Sequence, residues 1–203
     1  PLTARLLLRH LKGDHWIGTG ARWSAKKFVA GWFAIDLDFA DDLVARYDAV
    51  CAALGPPSLV FGSEETGGLH VYYFLDREAP LHQLRNAEGT NGAVLRVLNR
   101  AGAGERLGIE VYPRRKYAIR GTQNRLRLPH GRGWRLLDPD SLLPLVTPPS
   151  RMSDLKLVRA LFDADKVRLL ELDDLLRSSW NAWPTRPDGP SGELCSQLIP
   201  SHS

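Results

Sequence analysis

Two aspartates stand inside a strongly apolar run, Trp32-Phe33-Ala34-Ile35-Asp36-Leu37-Asp38-Phe39. The run reads as a buried β-strand, and carboxylates buried without a partner are costly. On a strand, Ala34, Asp36 and Asp38 share one side while Phe33, Ile35, Leu37 and Phe39 share the other. The Cα atoms of the two acids are then about 6 to 7 Å apart, and anions at that distance repel by roughly 2 to 3 kcal/mol at an effective dielectric near 20. A divalent cation reverses the sign of that interaction. The structural alternative is a strand end where both carboxylates reach water or pair with arginine.

Glu110 repeats the pattern in Leu107-Gly108-Ile109-Glu110-Val111-Tyr112, an acid among apolar residues at strand spacing. It is the natural third carboxylate, because acids carried on two strands can hold Mg²⁺ or Mn²⁺, hard cations that prefer oxygen. An ion pair with a nearby arginine is its bland reading. His70 follows Gly67-Gly68-Leu69, so glycine backbone can approach a ligand where an imidazole projects from the start of a strand. Such a turn suits an oxyanion, with Ser63 and His70 as side-chain donors; a histidine satisfied inside the fold is the alternative. Downstream, Arg125 and Arg127 alternate onto one face of a strand, and paired guanidiniums bind phosphate in bidentate fashion.

The elements that must position these residues are legible in outline. Thr3 to Lys12 reads as an amphipathic helix ended by Gly13, and Asp41 to Leu54 as a second helix ended by Gly55-Pro56-Pro57. Ser58 to Gly62 and Leu69 to Leu75 read as a hairpin around the polar turn Ser63 to Gly68. Leu81 to Arg100 carries helical pattern in one or two pieces, Leu107 to Tyr112 is a strand, and one or two strands fall between Tyr117 and Leu137. Asp138 to Ser141 begins a turn or short helix, Pro148-Pro149 looks like a hinge, and Met152 to Phe162 and Ala164 to Leu176 read as helices. From Pro184 the composition, rich in Pro, Gly and Ser, predicts a disordered tail.

The chain has 203 residues, 43% hydrophobic and 25% charged, enough for one good core. No stretch approaches the roughly 18 uncharged apolar residues of a membrane span. No secretory leader is recognisable, and the chain begins at Pro1 rather than Met, as a piece of a longer protein would. A soluble, intracellular protein is expected. Cys51 and Cys195 are too few for a disulfide framework or a cysteine zinc site. The net charge of +4 is unevenly spread: from Tyr112 to Leu137 there is no acid and there are eight basic residues, Arg114, Arg115, Lys116, Arg120, Arg125, Arg127, Arg132 and Arg135. A basic block on a mildly acidic body is the footprint of a polyphosphate or nucleic-acid surface, against the bland reading of a solvated face.

With these residues in view, the stretch from about Leu11 to Leu137 resembles the archaeo-eukaryotic primase superfamily. Three motifs carry the resemblance: Ile35-Asp36-Leu37-Asp38; the glycine-rich turn from Ser63 through Gly68 with His70; and Ile109-Glu110-Val111-Tyr112-Pro113 followed by Asn124-Arg125-Leu126-Arg127-Leu128-Pro129. The third looks most like primase-polymerases of prokaryotic mobile-element, conflict-system and CRISPR-associated types. Glu110 stands where the superfamily commonly has Asp, and Gly68 where many members have Ser. No zinc-binding module is visible, and no zinc is expected.

The resemblance implies an α+β fold in two α/β layers: an RRM-like palm sheet, an additional N-terminal α/β layer and C-terminal helices. It implies a catalytic core over residues 1–147, a helical extension over 150–183 and a tail over 184–203. The implied activity is template-directed nucleotidyl transfer, synthesising or extending primers on single-stranded DNA from nucleoside triphosphates in a prokaryotic cytoplasm, beside a helicase or other replication or defence domains. Asp36, Asp38 and Glu110 would hold two Mg²⁺ or Mn²⁺ ions about 3.5 to 4 Å apart. Ser63, Gly67, Gly68, His70, Asn124, Arg125 and Arg127 would hold the nucleotide. Arg114, Arg115, Lys116 and Arg120 would follow the template, with Tyr112 or Tyr117 available for base stacking. Two rivals stand beside this: a metal-dependent nuclease, disfavoured because Tyr112 occupies the position where many nucleases carry a lysine, and a degenerate primase fold that binds single-stranded nucleic acid in a replication initiator.

Overall fold

The computed structural model describes residues 3–12, 14, 18–19, 22–24, 27–84, 92–102, 109–113, 126–127, 133–146, 151–163 and 166–181. In chain order the elements begin with α1 (Ala4–Lys12), β1 (Gly18–Thr19), β2 (Arg22–Ser24), β3 (Lys27–Leu37) and α2 (Leu43–Leu54). The hairpin β4 (Leu59–Ser63) and β5 (Leu69–Pro80) follows, then α3 (Leu81–Leu84), α4 (Ala93–Arg100) and β6 (Glu110–Tyr112). The described chain closes with β7 (Leu126–Arg127), β8 (Trp134–Leu137), α5 (Arg151–Asp163), β9 (Leu169–Leu170) and α6 (Leu172–Asn181).

The fold is mixed α+β. β3 is the centre of a sheet: β5 pairs with it antiparallel along one edge, and on the other edge β2 takes its first three residues and β6 pairs with Ala34, Ile35 and Asp36 near its end. β4 and then β8 extend the sheet beyond β5, all antiparallel, and the short β9 joins β5 in parallel. Read as β3-α2-β4-β5-α4-β6, with spatial order β6-β3-β5-β4, this is a split β-α-β unit. Its long strands are rich in β-branched and aromatic residues, which suit a pleated surface buried on both sides.

The two sides differ. On one, Phe33, Ile35, Leu37, Val60, Val71, Tyr73 and Val111 form the main core with Tyr47, Val50 and Leu54 of α2, Val94 and Leu98 of α4, and Leu172 and Leu175 of α6. On the other, Ala34, Phe61, Tyr72, Tyr112, Trp134 and Leu136 form a second cluster, joined by Leu126 of β7 and half-covered by Leu157, Val158 and Leu161 of α5. The candidate acids lie at the end of this second face.

Some expectations change. The helix expected over Ala164 to Leu176 is instead β9 and then α6, which starts at Leu172. The Asp76 carboxylate accepts the Leu172 N–H at 2.9 Å and starts the helix there, while Leu169 and Leu170 pair with Phe74 and Leu75. The helical pattern over Leu81 to Arg100 resolves into α3 and α4. The aspartate strand begins at Lys27 and ends at Leu37, so Asp38 and Phe39 lie beyond it, exposed. Pairing stops there because Gly68, next in register, already belongs to the turn. Among the described residues no helix is long and apolar enough to cross a membrane. The tail from Pro184 lies outside the described residues.

Candidate active site

Sheet register assembles the site. Asp36 pairs with His70 of β5 on one side and with Glu110 of β6 on the other. Residues directly opposite on antiparallel strands share a face, with Cβ atoms about 4.5 to 5.5 Å apart. Glu110, Asp36 and His70 therefore form one row, continued by Phe61 of β4 and Leu136 of β8. The expected third carboxylate thus stands beside the first, although the two are 74 positions apart in sequence.

His70 is buried, with its Nε2 3.4 Å from Asp36 Oδ1. Its Nδ1 is buried and without a hydrogen-bond partner among the described residues. Asp36 keeps partial exposure on the open side. Its charge reaches Tyr72, whose phenol is pushed well above the usual range, first by burial and then by the aspartate beside it. The Tyr112 hydroxyl donates to Glu110 Oε2 at 3.0 Å. Tyr112 is buried, so it is not the exposed base-stacking platform expected of it.

The Ser63–Gly68 turn closes on itself and clamps β8. The Ser63 hydroxyl accepts the Thr66 N–H at 3.0 Å, the Gly67 N–H donates to the Ser63 carbonyl at 2.9 Å, and the Ser63 N–H donates to the Gly68 carbonyl at 2.9 Å. The Gly68 N–H lies 3.4 Å from Thr66 Oγ1. The Gly67 amide is therefore already committed, and the close approach that the two glycines allow is taken up by Phe39 and the Leu37 carbonyl. The Glu64 N–H donates to the Gly133 carbonyl at 2.6 Å. Arg135 Nη1 lies 3.8 Å from Glu64 Oε1, and the Arg135 side chain is buried, which removes it from the solvated basic block.

Asp36 and Glu110 are facing oxygen donors, the donor type that Mg²⁺ or Mn²⁺ takes. Asp38 is the next acid along, exposed just past β3. Among the described residues no three His, Cys, Asp or Glu side chains stand together as a metal cluster, so the fold presents a facing pair with a third acid at its margin. Of the remaining candidates, Arg127 is on β7, whose neighbour Leu126 packs into the same face as Tyr72 and Trp134. Arg114, Arg115, Lys116, Arg120, Asn124 and Arg125 lie outside the described residues, as does Tyr117. Sequence reasoning missed Trp134, whose indole stacks on the His70 ring with centroids 3.8 Å apart and planes 28° apart. Nothing local marks it, because the contact depends on β8 lying beside β4.

No protein-family model matches the chain, and no curated protein matches it.

Proposed function

We propose that the protein is a template-directed nucleotidyltransferase of the primase-polymerase kind, acting on single-stranded DNA. The observation that carries this reading is the row Glu110–Asp36–His70 across three adjacent strands, with Asp38 and the glycine turn at its end. In the reaction a 3′-hydroxyl oxygen bonds to the α-phosphorus of a nucleoside triphosphate, the bond to pyrophosphate breaks, and the hydroxyl proton is lost. Asp36, Glu110 and Asp38 are the residues to hold Mg²⁺ or Mn²⁺. Such an ion, when bound, neutralises the triphosphate and makes the hydroxyl more acidic.

The chain's own residues then orient. Tyr112 fixes one oxygen of Glu110, and Asp36 fixes the His70 ring through Nε2. His70 is the side chain to meet a phosphate oxygen. Gly67 and Gly68 let the turn pack closely against Phe39 and Leu37 beside it, and the basic segment leading into and out of β7 supplies guanidiniums for the triphosphate and the strand. The βαββαβ order supports a palm of the expected type, with the acids on the face opposite the two helices.

The test is incorporation of labelled nucleotide on a primed and an unprimed single strand with Mg²⁺ or Mn²⁺. Wild type is expected to extend, and Asp36→Ala with Asp38→Ala to fall to background while still binding the strand. No incorporation by wild type, or equal incorporation by the double variant, overturns the catalytic reading. One observation favours a second reading, a module that binds nucleotide without turnover: Asp36 and Glu110 each engage an internal partner, and Asp38 stands off at the strand end. Tight nucleotide binding with no incorporation under any divalent ion would select it.

A further inference from the structure

The geometry points to Trp134 as a positioning residue that fixes the plane of the His70 imidazole. This rests on the reading above, in which His70 meets a phosphate oxygen. Trp134 sits on β8, two strands from His70, and is two residues closer to the glycine turn than Leu136, which shares the His70 row. The row partner of Trp134 on β4 is Ser63, and Ser63 is in turn bonded through its N–H to the carbonyl of Gly68 in the turn that leads into β5. The small hydroxymethyl group of Ser63 on the same row leaves the indole a path across β4 toward His70.

The contact is close and enclosed. The centroids are 3.8 Å apart at 28°, closer than the 4.5 to 7 Å common for aromatic pairs, with Trp134 8% and His70 4% exposed. Among the described residues the imidazole is otherwise held by the 3.4 Å contact from Nε2 to Asp36, a rather long tether about which the ring can pivot, and by the Tyr72 ring, which meets it edge-on with centroids 6.3 Å apart. Among the described residues Nδ1 has no partner to stop that rotation. A face-on indole blocks the pivot and holds Nε2 in the row with Asp36. Trp134 is itself anchored at its N-terminal side, where Gly133 accepts the Glu64 N–H and takes a φ of 79°, so the glycine turn and the indole are placed together.

The experiment uses the full chain as wild type, Trp134→Leu, Trp134→Phe, His70→Ala and the double variant Trp134→Leu with His70→Ala. Inorganic triphosphate binding is read by calorimetry, and KM and kcat by incorporation. Trp134→Leu should weaken triphosphate affinity and raise nucleotide KM by about 2- to 12-fold, the range typical of an aromatic pair. kcat should stay within about twofold, and Trp134→Phe, which keeps a ring face, should recover most of the loss. In the His70→Ala background Trp134→Leu should add nothing. An equal loss in both backgrounds, or no loss in a variant that still unfolds cooperatively, overturns the proposal.

Failure of the parent reading looks different: wild type then neither binds triphosphate nor incorporates nucleotide. Trp134 is in that case judged by the imidazole proton signals of His70. Those signals should be displaced by the indole ring current and sharp in wild type, and broadened and shifted to solvent-like positions in Trp134→Leu. Identical His70 signals in the two proteins overturn the positioning role outright.

Discussion

Gly68 has no room for a side chain, since a Cβ there would lie 2.9 Å from the Leu37 carbonyl oxygen, a backbone atom that cannot swing away. Gly67 is constrained twice, by a φ of 74° and by the Phe39 ring, 2.8 Å from where its Cβ would be. Gly68→Ala is therefore expected to destabilise by about 1 to 3 kcal/mol, as overpacking does. Because the strain falls between Leu37 and Leu69, it should also lower nucleotide incorporation by more than the stability loss explains. Urea unfolding and incorporation on the same samples check this. Unchanged stability would mean that β3 and β5 separate more easily than their pairing suggests. The glycines were visible in the sequence as a turn suited to an oxyanion. Their actual constraint, a carbonyl at the end of β3 and a phenyl ring just past it, was not, because it depends on register.

At the scale of elements, β9 and α6 are tied to the sheet by Asp76. Its carboxylate accepts the Leu172 N–H and pairs with Arg77, which also contacts Asp173. The hydrogen bond from the Leu172 amide, followed by the Arg77 charge, holds the Asp76 carboxyl below the usual range. A carboxyl with a depressed folded value stabilises above its unfolded value, about 3.9, and loses that contribution as pH falls through the folded one. Asp76→Asn should therefore lower the urea midpoint at pH 7 and pH 5, and by less at pH 3, below the unfolded value. A deficit that is the same at all three values would show that the charge does not matter. The same residue explains a misreading: helical spacing continues backward from Leu172 through Arg168, but only tertiary pairing with Phe74 and Leu75 turns Leu169-Leu170 into a strand. By contrast α2 was legible almost to the residue, since its buried Tyr47, Val50 and Leu54 keep helical spacing up to the Gly55 stop.

Across the whole molecule, the order of the strands decides which residues meet. Sequence motifs identified Asp36, His70 and Glu110 separately and period-2 alternation put each on a face, but only the order β6-β3-β5 makes them neighbours. The net charge of +4, concentrated between Tyr112 and Leu137, belongs to the same scale. Single-strand binding should weaken linearly in log–log form as salt rises, with a slope of about −0.7 per phosphate neutralised, and Arg125→Glu should make that slope shallower. A salt-independent affinity would remove the basic block from the binding surface. The central claim is that one face of this sheet gathers the acids and His70 into a single divalent and nucleotide site. Its most direct test is paramagnetic broadening of amide signals by Mn²⁺, titrated into the labelled protein. Leu37, Asp38, Leu69, His70 and Val111 are expected to broaden first and together, and Asp36→Ala with Asp38→Ala to abolish the effect. Broadening centred on α5 or α6, or persisting unchanged in the double variant, would contradict it.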